Sequence, residues 1–291
     1  NGIVVTGGAN NITIGANTNT ITFSGSAVDT NSVTVSGSGA TPIDITNAKD
    51  VTVNKDTTVG NISSTATTVT VNGKTGSISA TGSDVEVKTG ATVNGTGTSD
   101  GISYTGYTAA DPTKKSEDGG SVTVTGKTTV TGAQSGINYT NGNVTVTGTS
   151  STQQAKVTGT AGNGIANTTG DVGLGNAVIT GKTNGITDTA GATGITLTNS
   201  TVTGNGGAGI ANTTAGGVTQ TTGNSVISGT TFGITTTKGS VNLSGTDNKL
   251  STVTGTTGGI YGTDGNVILN SETVKSTTSG DAIKGTGGDV S

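Results

Sequence analysis

The chain has 291 residues, of which 53 are Gly, 2% aromatic and 10% charged, with no Cys, Met, Trp or His. This excludes disulfide and thiol chemistry, and 13 basic residues (all Lys) against 17 acidic ones leave no basic patch for nucleic acid or an anionic membrane. No stretch approaches the ~18 apolar residues of a membrane-spanning helix, and the apolar residues keep a period, which a disordered polar tract has no reason to do.

In chain order, the N-terminal part places apolar points at Ile12/Ile14, Ile21/Phe23, Val33/Val35, Ile43/Ile45, Val51/Val53, Val59/Ile62, Val69/Val71, Ile78, Val85/Val87 and Val93. Alternating β-branched residues bounded by Gly, Asn, Asp or Ser signal short strands. The step is about 7 to 12 residues, so three steps are expected to make one turn.

From residue 101 the rhythm tightens into a Gly-Ile step, at Gly101-Ile102, Gly136-Ile137, Gly164-Ile165, Gly185-Ile186, Gly209-Ile210, Gly233-Ile234 and Gly259-Ile260, with Asp281-Ala282-Ile283 as a last variant. The isoleucine spacings are 35, 28, 21, 24, 24, 26 and 23 residues. A second apolar point follows each step, as in Val122/Val124, Val144/Val146, Val172/Leu174 and Ile195/Leu197. A third is closed by Thr-Gly or Ser-Gly, as in Val130-Thr-Gly132, Val157-Thr-Gly159 and Ile227-Ser-Gly229.

Such a period signals a solenoid. Three short strands per turn of about 24 residues predict an all-β parallel β-helix, one unit of about 12 turns over residues 1–291 and about 55 Å long. Its core stack is Ile102, Ile137, Ile165, Ile186, Ile210, Ile234, Ile260 and Ile283. A string of β-sandwiches needs large core residues, and this chain offers only Phe23 and Phe232, with no Trp.

The long interval after Ile102 predicts an inserted loop over 104–118, rich in charge and holding Tyr104 and Tyr107. Insertions in solenoids project as loops, often on a binding face, and paired Tyr can stack on a sugar or anchor a protein contact. Tyr104, Tyr107, Lys114 and Lys115 are therefore the candidate ligand contacts. A smaller polar excess near 150–156 reads as a plain loop.

No catalytic, metal or cofactor site is expected. Hydrolytic chemistry needs clustered carboxylates, whereas the acids here are scattered: Asp84/Glu86 lie outward beside Lys88, and Glu117/Asp118 have no matching acid one turn away. The run Gly258-Gly-Ile-Tyr-Gly-Thr-Asp264 approaches a calcium-binding repeat turn but is out of register and does not recur. Thr-x-Thr segments such as Thr129-Val-Thr131 and Thr201-Val-Thr203 suggest an outer lattice of the ice-binding kind, interrupted at Lys156, Ser228 and Lys275. Asn-x-Ser/Thr sites, including Asn167 and Asn212, occur about as often as chance predicts.

These Gly/Asn/Thr/Ser-rich three-strand turns, poor in Cys, Trp and His, resemble the secreted passenger region of bacterial autotransporter or two-partner-secretion adhesins. The resemblance implies a right-handed β-helix at the bacterial outer surface, engaged in self-association, biofilm or host attachment. Its implied partners are a second rod, or a host-surface protein or glycan. Nucleic acid is not expected as a partner, and a membrane enters only through an anchoring domain outside this sequence. The chain has no initiator Met and stops partway through a turn at Gly287-Gly-Asp-Val-Ser291, which suggests a segment of a longer exported protein. The alternative function is a passive stalk or surface-layer spacer that presents a distal domain; ice binding or action on a polysaccharide follows behind it.

Overall fold

The computed structural model describes the chain apart from residues 1, 7–10, 16–19, 25–31, 37–42, 47–49, 65–67, 83, 107–119, 168, 190–193, 245–250, 271 and 279. It is a parallel β-helix. Three parallel sheets of 13, 12 and 9 strands run along it, and each strand pairs with its equivalent in the turns before and after. Thirteen strands at a spacing of about 4.8 Å make a rod roughly 58 Å long.

The Gly-Ile strands form the first sheet. Register pairs Ile62, Ile78, Ile102, Ile137, Ile165, Ile186, Ile210, Ile234, Ile260 and Ile283 in one unbroken column. All are buried except Ile283, which is half-buried in the last turn. From Ile102 the column reaches three turns further toward the N-terminus, through Ile78 and Ile62 to Ile43. Each buried Ile contributes about 1.5–3 kcal/mol of transfer free energy.

Steric fit explains why Gly precedes Ile. A Cβ on Gly136 would lie 2.7 Å from the Gly164 carbonyl oxygen, one on Gly164 2.6 Å from that of Gly185, and one on Gly185 2.5 Å from that of Gly209. Successive corners close on one another at a point where no side chain fits. The glycine is replaced where the corner is open, by Ala282 in the last turn and by Asn61 and Ser77 in the shorter N-terminal turns, none of them buried.

Corner Asn, Asp and Ser residues satisfy the backbone between turns. Before the first sheet, Asn61 Oδ1 accepts from Ser77 N, Asp100 Oδ1 from Ser135 N and Asn184 Oδ1 from Ala208 N, at 2.8–2.9 Å. Before the second, Asp84 Oδ1 accepts from Ser121 N, and Asn143 Oδ1 from Asp171 N. Before the third, Ser200, Ser225 and Ser251 form a buried chain, each Oγ accepting from the backbone N–H of the preceding turn. A buried N–H left without an acceptor is costly, so these residue types serve the coil before they serve any ligand.

The N-terminal end departs from the expected three steps per turn. Ile12 pairs with Val33, Val33 with Val51 and Val51 with Val69, so two steps complete a turn there. The third sheet begins only at Lys74–Thr75. Before that point the described residues of each turn carry a strand in the first sheet and one in the second.

Candidate functional site

Tyr104 lies inside the rod. It is the second inward residue of Ile102–Thr105, since alternation puts residues i and i+2 on one face. Its ring, 2% exposed, stacks on Tyr139 with centroids 4.9 Å apart and planes 8° from parallel. The expected ligand contact at Tyr104 is therefore a core contact. Tyr107, Lys114, Lys115 and the rest of 107–119 lie outside the described residues.

Tyr139 donates a long hydrogen bond (3.5 Å) to the Gly120 carbonyl, so the aromatic pair is set against the point where the chain re-enters the second sheet. Burial, then the adjacent Tyr104 phenol and the Asp84 charge, raise the pKa of the Tyr139 hydroxyl far above its ordinary value.

The inward column of Tyr104 and Tyr139 continues as Asn167, Asp188, Asn212 and Thr236, one residue per turn. All four are at most 2% exposed. Asn167 Nδ2 donates to Asp188 Oδ1 at 3.3 Å and to the Gly170 carbonyl at 2.8 Å, while Asn212 Oδ1 accepts from Thr214 N and Oγ1. Asn167 and Asn212 therefore lack the exposure that glycan attachment needs.

Of the two acidic pairs, Asp84/Glu86 is accounted for by contacts within the coil. Glu86 forms an exposed ion pair with Lys88 at 3.0 Å, and Asp84 caps Ser121 through its N–H and hydroxyl. Glu117/Asp118 lie outside the described residues. Gly258–Gly262 is a strand of the first sheet, and no group of three or more potential metal ligands from His, Cys, Asp and Glu occurs among the described residues.

Two outer features remain, the first a refinement of the expected Thr-x-Thr lattice and the second not read from the sequence. The first is a hydroxyl column on the third sheet: Thr131, Thr158, Thr180, Thr203, Ser228 and Thr254 are register partners through successive turns, all half-exposed. Lys156 does not break this column. It lies in the neighbouring one, with Thr129, Val178, Thr201 and Val226. Thr203 and Ser228 hydroxyls lie 3.2 Å apart, and the column closes with Asn94 at one end and Lys275 at the other. Pairing Thr-x-Thr segments turn by turn would have found it.

The second is an outer ladder of Phe232, Tyr261 and Lys284. The rings stack with centroids 5.4 Å apart, and Lys284 Nζ lies 5.9 Å from the Tyr261 centroid. Tyr261 directly follows Ile260 and so must point outward. Both of its faces are covered along the rod axis, so it braces three turns and leaves no open platform for a sugar ring.

Set against known protein families, curated proteins and solved structures, the chain matches none of them. The fold itself defines the class: a parallel β-helix solenoid with a polar outer surface. No helix among the described residues is long and apolar enough to cross a membrane.

Proposed function

We propose that the rod is a segment of a bacterial cell-surface adhesin that associates side by side with copies of itself. The hydroxyl column on the third sheet carries this reading. It presents six hydroxyls at a spacing of about 4.8 Å over roughly 24 Å, with half-exposed Val178 and exposed Val226 in the adjoining column. Two such faces can exchange donor and acceptor roles, because each hydroxyl is both. A net charge of −4 over 291 residues limits repulsion between like rods. Export to the outer surface and attachment to a host protein or glycan belong to the same proposal.

Sedimentation velocity over a wide concentration range tests it. Wild-type protein should form larger species as concentration rises, and T180K together with T203K should abolish them by setting like charges opposite one another. A variant that associates like the wild type, or a wild type that stays monomeric throughout, removes the reading. A stalk that presents a distal module is the second reading, favoured by the unbroken 13-strand ladder of the first sheet. It gains if the rod stays a monomer.

A further inference from the structure

Where the two-strand turns give way to three-strand turns, the outer surface carries two adjoining depressions. One, about 240 Å³, is lined by Lys55, Asp56, Asn72, Thr89 and Gly90. The other, about 480 Å³, is lined by Asn61, Gly76, Thr92, Asn94 and Thr96. Thr58 and Lys74 line both. These two pair through an isolated bridge, and Lys74 pairs in turn with Thr92, so Thr58 prolongs the outer column of Lys74, Thr92 and Thr129 past the edge of the third sheet. The Lys74 side chain is a ridge between the hollows.

The hollows exist because glycines replace side chains at the corners. A Cβ on Gly90 (φ +88°) would meet nothing within 4 Å, so that side is open to solvent. Gly73, by contrast, is packed with Asn54 and Thr57 carbonyls each 2.5 Å from where its Cβ would be, which fixes the floor beneath Lys74. Lys55 and Lys74 are both exposed, and the only salt bridge among the described residues joins Lys88 to Glu86.

We propose that these hollows bind two consecutive rings of an acidic polysaccharide, with the chain crossing Lys74. Ligand pockets commonly run to about 300–1,000 Å³, and each hollow suits a single sugar ring. The walls set the hydroxyls of Thr58, Thr89, Thr92 and Thr96 and the Asn94 amide among apolar surface, a mixture that suits the hydroxyls and C–H faces of a sugar, while Asn61 Oδ1 and Asn72 Nδ2 are already bonded to the backbone of neighbouring turns. No aromatic ring lines either hollow, so affinity comes from hydrogen bonds and from lysine paired with carboxylate. Lys74 reaches a carboxylate from the ridge and Lys55 a second from the outer rim, while Asp56 disfavours an anion at its own edge and so fixes the direction of the chain. The groove adjoins the hydroxyl face at Asn94, which lines the second hollow and is the register partner of Thr131, but Lys55 and Lys74 lie outside the hydroxyl column, so K74E and the T180K/T203K pair test the two surfaces separately.

The test is an NMR titration of the protein with a pentamer of α-1,4-linked galacturonic acid and with its methyl-esterified, uncharged counterpart. The acid form should shift the amides of Gly73, Gly76, Gly90, Thr58 and Thr92, and the ester should bind at least fivefold more weakly. K74E and the K55E/K74E pair should weaken the acid form about fivefold and more than fivefold, about 1 kcal/mol for the first reversal. K156E, on the same sheet but away from the groove, should leave binding unchanged. Both lysines are exposed, so the variants should keep the wild-type circular dichroism. Equal binding of acid and ester, shifts confined to other residues, or no binding at millimolar pentamer would each overturn the proposal.

Discussion

Truncating Ile186 to Ala asks whether the inward column holds successive turns together. Ile186 is fully buried between Ile165 and Ile210, its register partners on either side. Removing the outer carbons of a buried Ile costs about 2–5 kcal/mol, a transfer term plus a term for the cavity left behind. The cavity cannot collapse here. Ile165 N donates to the Gly185 carbonyl at 3.0 Å and Ile186 N to that of Gly209 at 2.9 Å, so the backbone ladder holds the turns apart. That places I186A in the upper part of the range, about 3–5 kcal/mol. Ile283 offers the same chemistry in the half-buried last turn, and I283A should cost only about 1 kcal/mol. Urea unfolding followed by far-UV circular dichroism gives both values. Amide exchange should also accelerate first around 165–210, because solenoid turns are stabilised by nearest neighbours. Equal costs at the two positions, or less than about 1 kcal/mol for I186A, would refute the column as the core.

Other perturbations follow from the same geometry. G185A brings a methyl to 2.5 Å from the Gly209 oxygen and 2.6 Å from Val202 Cγ1, and should cost about 1–3 kcal/mol, whereas G173A, whose nearest neighbour is 3.7 Å away, should leave the thermal midpoint nearly unchanged. S225A removes the acceptor of the buried Ser200 N–H and should lower stability by about 1–3 kcal/mol; an unchanged midpoint would mean that the serine chain is idle. Tyr139 keeps its proton in the folded state above pH 10, where an unfolded Tyr loses it. The folded state then binds more protons, so stability should fall as pH rises above about 10, by up to ~1.4 kcal/mol per pH unit for this residue. In Y139F that decline should be shallower by the same amount; an identical decline would refute the assignment.

How much of this was legible depends on which side of the strand a residue faces. Ile and Val recur because each turn needs the same inward shape, so Ile102 to Ile283 could be read as a column before any coordinates. The register of outward residues leaves a weaker trace. Thr131, Thr158 and Thr180 align only once their strands are paired, because the corners between them vary in length. Tyr104 was misplaced for the opposite reason. Its place beside an insertion suggested a loop, but it sits two residues after Ile102, and that spacing already put it inward. The two-step N-terminal turns were hidden because their strands look like those of the rest, and only pairing shows which ones close a circle. The buried Asn167–Asp188–Asn212 column reads as surface in a sequence, since polar residues are rarely fully buried.

The two proposed surfaces differ in physical character, and salt separates them. A hydrogen bond contributes about 0.5–1.5 kcal/mol net, so six hydroxyls on the third sheet supply on the order of 6 kcal/mol, against a cost of association of about 4–15 kcal/mol. Isolated segments should therefore associate only at high concentration. Many rods anchored on one cell would gain through effective concentration, with no new contact needed. Because the hydroxyl column is uncharged, its association should change little between 50 mM and 500 mM NaCl. The Lys55–Lys74 groove works by charge in solvent, and screening over the shortened Debye length should weaken its acidic ligand severalfold across the same interval. If self-association also collapsed with salt, charged residues and not the hydroxyl column would be holding the rods together, and the third-sheet face would lose its role.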